Sequence, residues 1–165
     1  MTARRFAVLA TIGLALLAAL AFWLLPDAQQ AEGSLLRPDD KQIVAAGAAI
    51  YQANCASCHG VDLKGQPNWQ APGEDGLMPA PPHDETGHTW HHPDEILFAI
   101  TKHGVAKAAN LKDYKSAMPV YEGVLSDEEM IAALSWIKAQ WPGEVRQRHD
   151  EMNAQYQALE KEAYK

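Results

Sequence analysis

Cys55-Ala56-Ser57-Cys58-His59 uses both cysteines of this 165-residue chain and constrains its fold more than any other stretch. Two thiols separated by two residues can add across neighbouring vinyl groups on one porphyrin edge, and a histidine beside the second thiol can reach the central iron. Cys-x-x-Cys alone also serves disulfides, thioredoxin-like redox pairs and half of a zinc site. A four-cysteine zinc site needs a second pair that the sequence lacks, a redox pair needs a strand-helix-strand setting, and a disulfide leaves His59 unexplained. The five residues therefore predict covalent haem c, one per chain, attached through Cys55 and Cys58 with His59 on the iron. Gly60 follows, where the backbone must turn away from the porphyrin without a Cβ in its path. A domain of about 100 residues buries a modest share of its surface, and a porphyrin at its centre adds apolar area that side chains alone would not supply.

Haem c is attached after export in bacteria, so an export signal is expected. Arg4 and Arg5 precede an apolar run from Phe6 to Leu25, 20 residues long; as a helix it would span about 30 Å, the thickness of a bilayer core. A cleaved signal carries a shorter apolar region and a small-residue cleavage site, and the candidates ending at Ala28 and Ala31 carry Pro26 and Gln29 where a small residue belongs. Residues 1–26 thus read as a retained membrane anchor, with a removed signal and a soluble periplasmic product as the alternative. The two arginines orient the N-terminus to the cytoplasm and the remainder to the periplasm, a single-pass arrangement in the bacterial inner membrane. Residues 27–38 read as a linker, 39–142 as the haem domain and 143–165 as a polar helical tail.

The chain carries a net charge of −7; 12 of its 14 basic and all 21 acidic residues follow Leu25, which leaves −9 there. Such a field disfavours nucleic acid and anionic lipid, and fits transient docking on a positively charged protein as well as it fits ordinary solubility. From Asp39 to Trp141 the pattern is helices separated by proline-rich loops, without an alternating strand. Asp39 with Gln42 can cap a first helix in which Ile43, Gly47, Ile50, Tyr51 and Asn54 recur at helical spacing up to Cys55. Pro93 opens a second, with Asp94 and Glu95 in its first turn, Ile96, Leu97 and Ile100 on its apolar face and Gly104 at its end. Ser126 through Glu129 is a capping box ahead of Ile131, Leu134, Ile137 and Trp141, and Pro142-Gly143 stops this third helix. A glycine inside a good helix costs about 1 kcal/mol relative to alanine, so Gly47 predicts close approach of another element, with Trp136 as its natural partner.

Taken together, Gly47 with Tyr51, Cys55-x-x-Cys58-His59, Met118-Pro119 and Trp136 resemble the class I c-type cytochromes over residues 39–141. Gly87-His88-Thr89-Trp90-His91-His92 is similar to a bacterial mono-haem subgroup of that family. The resemblance implies an all-α fold of three main helices around a covalently held haem, with His59 as proximal ligand and its Nδ1 bonded to a carbonyl from a proline-bearing loop. Pro79, Pro81 and Pro82 can supply that carbonyl, and Pro82 is the choice carried forward. The resemblance also implies Met118 as sixth ligand; Met78, in Leu77-Met78-Pro79, offers the same Met-Pro pair, and either methionine could instead fill the core.

His83, His88, His91 and His92 crowd ten residues without a recognised metal-ligand interval, and read as a solvated or hydrogen-bonding loop, with haem-propionate contacts or adventitious copper or zinc binding as the alternatives. Trp69 and Trp90 could donate to a haem propionate or cover the haem edge. In the tail, Val145, Met152, Tyr156 and Leu159 form one weak stripe, read as an exposed and partly frayed helix. The expected function is electron carriage between redox partner proteins in or at the inner membrane, without enzymatic chemistry. An electron-transfer subunit of an oxidase or dehydrogenase complex is the alternative, and a peroxidase or gas sensor would need an open iron position.

Overall fold

Asp40, not Asp39, opens the first helix in the computed structural model, which describes residues 34–163. Its extended backbone sets the carboxylate over the first turn of α1 (Lys41–Asn54), where it accepts from the amides of Gln42 (3.0 Å) and Ile43 (3.2 Å). Asp39, one residue earlier, is turned toward the C-terminal helix and pairs with Arg146 at 2.7 Å. The N-terminal anchor expected over residues 1–26 lies outside the described residues. Among the described residues no helix is long and apolar enough to cross a membrane.

Cys55 ends α1 and leads directly into one further turn, α2 (Ala56–His59). A long loop then reaches a 3-10 turn at Thr89–His91 and α3 (Asp94–His103), followed by the short α4 (Val105–Ala108). Pro93 is the N-cap of α3 rather than its first helical residue, and Gly104 at φ +84° ends it. The Ser126 capping box forms in full: its hydroxyl accepts from the Glu129 amide, and the Glu129 carboxylate accepts from the Ser126 amide at 2.8 Å. The Glu129 carboxylate also accepts from the Ser126 hydroxyl at 2.9 Å, and the bonds it receives from the Ser126 amide and hydroxyl hold it below the usual carboxylate range. It starts α5 (Asp127–Gln140), and Trp141 leaves the helix ahead of Pro142. The described residues are helical, with isolated bridges (Met78 to Ser116, Glu122 to Leu125) in place of strands.

α1 and α5 form the main packing, and they touch at Gly47. A Cβ on Gly47 would run into the Ala132 carbonyl and come within 2.9 Å of the Trp136 Cβ, so only glycine admits this approach. One turn on, the Tyr51 ring lies 4.5 Å from that of Trp136, and Tyr51 is 1% exposed. Leu36, Ala56, Leu63, Leu97, Leu134, Ile137 and Trp141 complete the buried cluster around it.

The tail is not a loose helix. α6 (Gly143–Ala163) is anchored to the body through buried polar groups: His149 is 0% and Asn153 4% exposed, while Leu159 on the expected stripe is 66% exposed. Asp94, itself fully buried, accepts from Ser34 Oγ (2.8 Å), the Leu36 amide (2.9 Å) and Asn153 Nδ2 (3.0 Å), and Asn153 Oδ1 accepts from the Asp94 amide at 2.9 Å. Lys138 of α5 lies 3.8 Å from Asp94 and 2.6 Å from Asp150 of α6. The His149 Nε2 sits 3.0 Å from the His92 carbonyl, and burial, with the Lys138 charge nearby, holds this imidazole below its ordinary pKa. Hydrophobic periodicity reveals only part of this docking: Val145 of the expected stripe packs against the core, but the fully buried contacts further along are carried by His, Asn, Asp and Lys.

Candidate functional site

α1 delivers the two thiols. The Cys55 amide donates to Tyr51 O at 2.8 Å, so Cys55 is still in helical register when α2 begins, and Cys58 three residues later falls on the same side of the turn. The free sulfurs here stand where thioethers would be in the haem-bearing chain; burial and the neighbouring Cys58 push the Cys55 thiol up to about 11. Gly60 at φ +81° turns the chain out, and a Cβ there would meet Asp62 Oδ1 at 2.6 Å. The Tyr51 hydroxyl donates to Gly60 O at 2.8 Å, tying the turn back to α1. Burial raises the pKa of that phenol, which keeps it a donor.

His59 is 7% exposed, and its Nδ1 lies 2.8 Å from the carbonyl of Pro81. Pro81 thus takes the place the sequence reading assigned to Pro82, whose carbonyl instead accepts from Thr89 Oγ1 at 3.2 Å. Successive carbonyls in the extended Pro81-Pro82 pair point in different directions, and residue spacing does not distinguish them. Gly65 helps fix which one arrives: it adopts φ +64°, and a Cβ on it would lie 2.5 Å from Pro81 C. A carbonyl can only accept, so Nδ1 carries the hydrogen. Burial lowers the His59 pKa, partly offset by the Pro81 bond, so the ring is neutral and the Nε2 lone pair is free for a metal.

Above this ring lies His83, which sequence reasoning did not single out for the site. The two imidazoles are stacked with centroids 3.8 Å apart and planes inclined by 16°, and the Tyr51 ring meets His83 edge-on at 5.9 Å. Its backbone is pinned on both sides: the amide donates to Leu63 O at 2.7 Å and the carbonyl accepts from Trp141 Nε1 at 2.7 Å. His83 Nδ1 is shut off from solvent and has no hydrogen-bond partner among the described residues. Burial above all, with the neighbouring His59 and His88, lowers its pKa well below the ordinary value.

The two candidate methionine loops run side by side. The Met78 amide donates to Lys115 O at 2.8 Å, and the Met118 amide donates to Ser116 Oγ at 3.0 Å. Both methionines are half-buried. Three residues beyond Met118, Tyr121 is 6% exposed and donates its hydroxyl to Asn54 O at 2.6 Å, joining the end of the Met118 loop to the residue before Cys55.

The histidine loop is organised by ring contacts. Trp69 stacks on His88 at 5.1 Å and Trp90 packs edge-on against His91 at 3.8 Å. The Trp90 indole nitrogen donates to Glu85 O at 3.3 Å. No three His, Cys, Asp or Glu side chains among the described residues are grouped to hold a metal ion.

These residues fit haem c: two sulfurs on one side of a single turn, a neutral imidazole with a free Nε2, and a glycine turn that leaves room beside it. The cytochrome c family model matches residues 44–141. A cbb3-type cytochrome c oxidase subunit FixP from Rhizobium etli is 27% identical over 107 residues, 64% of this chain and 33% of that protein, so the chain spans about a third of the relative's length. No solved structure gives a significant match. Motif, imidazole geometry and family match agree, and the chain belongs to the cytochrome c family, with the class I c-type haem motif at Cys55–His59.

Proposed function

We infer that the chain is an electron-transfer cytochrome of a bacterial inner membrane, held by its N-terminal segment with the haem domain in the periplasm, and with His59 and Met118 as axial ligands. The observation that carries this reading is the His59–Pro81 bond inside the Cys-x-x-Cys-His motif, which leaves Nε2 as a fixed, neutral donor. Haem c supplies a one-electron iron couple. The chain's own residues hold His59 in one tautomer, bury it from water, and brace the Met118 loop against the haem-attachment segment through Tyr121. Fixed ligands keep rearrangement small when one electron enters or leaves, and the acidic exterior favours encounter with a basic face of a redox partner.

The relative's name favours a second form of the same role, a haem-bearing subunit fixed in a membrane oxidase complex. Purification from native membranes in mild detergent separates the two: stoichiometric membrane subunits support the complex, and a monodisperse single chain supports the free carrier. The ligand assignment is tested by the thioether-to-iron absorption band of the oxidised protein. Met118→Ala abolishes it and Met78→Ala leaves it; the reverse outcome transfers the ligand role to Met78. A wild type that lacks the band and binds carbon monoxide rapidly when reduced contradicts the electron-carrier reading.

A further inference from the structure

We propose that His83 is a positioning residue for the iron-ligand imidazole: its ring, stacked on His59, sets the rotation of the proximal histidine plane relative to the porphyrin. The inference rests on the reading of His59 as proximal ligand. The Pro81 carbonyl fixes where Nδ1 sits, but one hydrogen bond leaves the imidazole free to rock about the axis through its two nitrogens. A flat partner 3.8 Å away and only 16° from parallel removes that freedom. The partner is itself held. Leu63 and Trp141 grip its backbone from either side, and the Tyr51 ring meets it edge-on. Tyr51 in turn is fixed to the haem-attachment turn through Gly60 O and packed against Trp136 of α5. The orientation of the proximal plane is thereby linked to the α1–α5 crossing.

His83 Nδ1 makes no hydrogen bond to a protein group among the described residues, so the ring is placed by its packing and by its pinned backbone. What the imidazole provides and an aliphatic chain cannot is a rigid planar face against His59. His83→Phe keeps a planar face and discards the nitrogens; His83→Leu keeps bulk and discards the plane.

The test uses the haem-loaded, oxidised protein with cyanide bound in the sixth position. Cyanide is axially symmetric, so the proximal imidazole alone sets the spread of the four haem-methyl proton resonances. In the wild type the spread is wide, and in His83→Phe it stays wide. In His83→Leu it narrows as the plane averages over orientations, while the absorption spectrum and the covalent haem content stay unchanged. A spread in His83→Leu equal to that of the wild type overturns the proposal, as does an equal narrowing in both variants, which would assign the effect to the nitrogens. Loss of covalent haem from the wild type would instead defeat the reading of His59 itself, and the two failures are told apart on one denaturing gel.

Discussion

Gly47→Ala should destabilise the protein although alanine is the better helix former. In the middle of α1 the exchange gains about 1 kcal/mol of helix propensity. Against this, the new Cβ falls on the Ala132 carbonyl, a backbone group of α5 with no flexible end to swing aside, and within 2.9 Å of the Trp136 Cβ. Carbon atoms pack at roughly 3.5–4.0 Å, so the helices must part by something on the order of 1 Å. Overpacking of this kind costs about 1–3 kcal/mol, and the backbone contact puts Gly47 at the upper end. The net expectation is a loss of about 2 kcal/mol after the propensity gain is subtracted. Ala49→Gly, on the exposed side of the same helix, calibrates the propensity alone, at about 1 kcal/mol of loss. Guanidinium unfolding of the haem-loaded proteins, followed by circular dichroism and tryptophan fluorescence, measures both at unchanged slope. A Gly47→Ala protein more stable than the wild type by about 1 kcal/mol would show that propensity decides there and that the helices are not in contact at that point.

Asp94→Ala should cost about 3–5 kcal/mol in the same unfolding assay, since it leaves the buried Lys138 beside fewer partners and orphans donors from Ser34, Leu36 and Asn153; a loss below about 1 kcal/mol would contradict the buried cluster. His149 is held neutral in the fold below its ordinary value of 6.5, so it stabilises the protein fully above that pH, and this contribution is lost as pH falls through the lower folded value. Acid titration of stability should therefore show a fall beginning near pH 6.5 that His149→Asn reduces; an identical profile in the variant would rule out His149 as its source. Lys138, Asp94 and Asp150 face the same imidazole, so the titration is read against Asp150→Asn as well. Tyr121→Phe removes the 2.6 Å bond to Asn54 O and should cost about 1 kcal/mol, visible as a lower denaturant midpoint.

The haem turn and the three main helices were legible because each rests on a local signal. Cys-x-x-Cys-His is contiguous, the Ser126–Glu129 box is a reciprocal pair three residues apart, and the anomaly of Gly47 in a helix pointed to a close crossing. What the sequence withheld is set by long-range placement. Pro81 and Pro82 are chemically alike, and which carbonyl meets His59 follows from distant neighbours, Gly65 against the Pro81–Pro82 peptide and Gly87 and Thr89 at the Pro82 carbonyl. His83 looked like one member of a polar histidine loop until its ring was found against His59, across 24 residues. The C-terminal helix was misread for a related reason: beyond Val145, which packs against the core, its buried contacts are hydrogen bonds and ion pairs, whose partners at Asp94 and Lys138 leave no trace in the periodicity of residues 143–163.

The account stands on one porphyrin joined to the chain through Cys55 and Cys58. Mass spectrometry of the denatured protein, made in a host that matures c-type cytochromes and digested to release the Cys55–His59 segment, tests this most directly. A peptide carrying both cysteines and the added mass of one haem is the expected result; the same peptide at its unmodified mass, in a protein without the absorption of a haem, would contradict it.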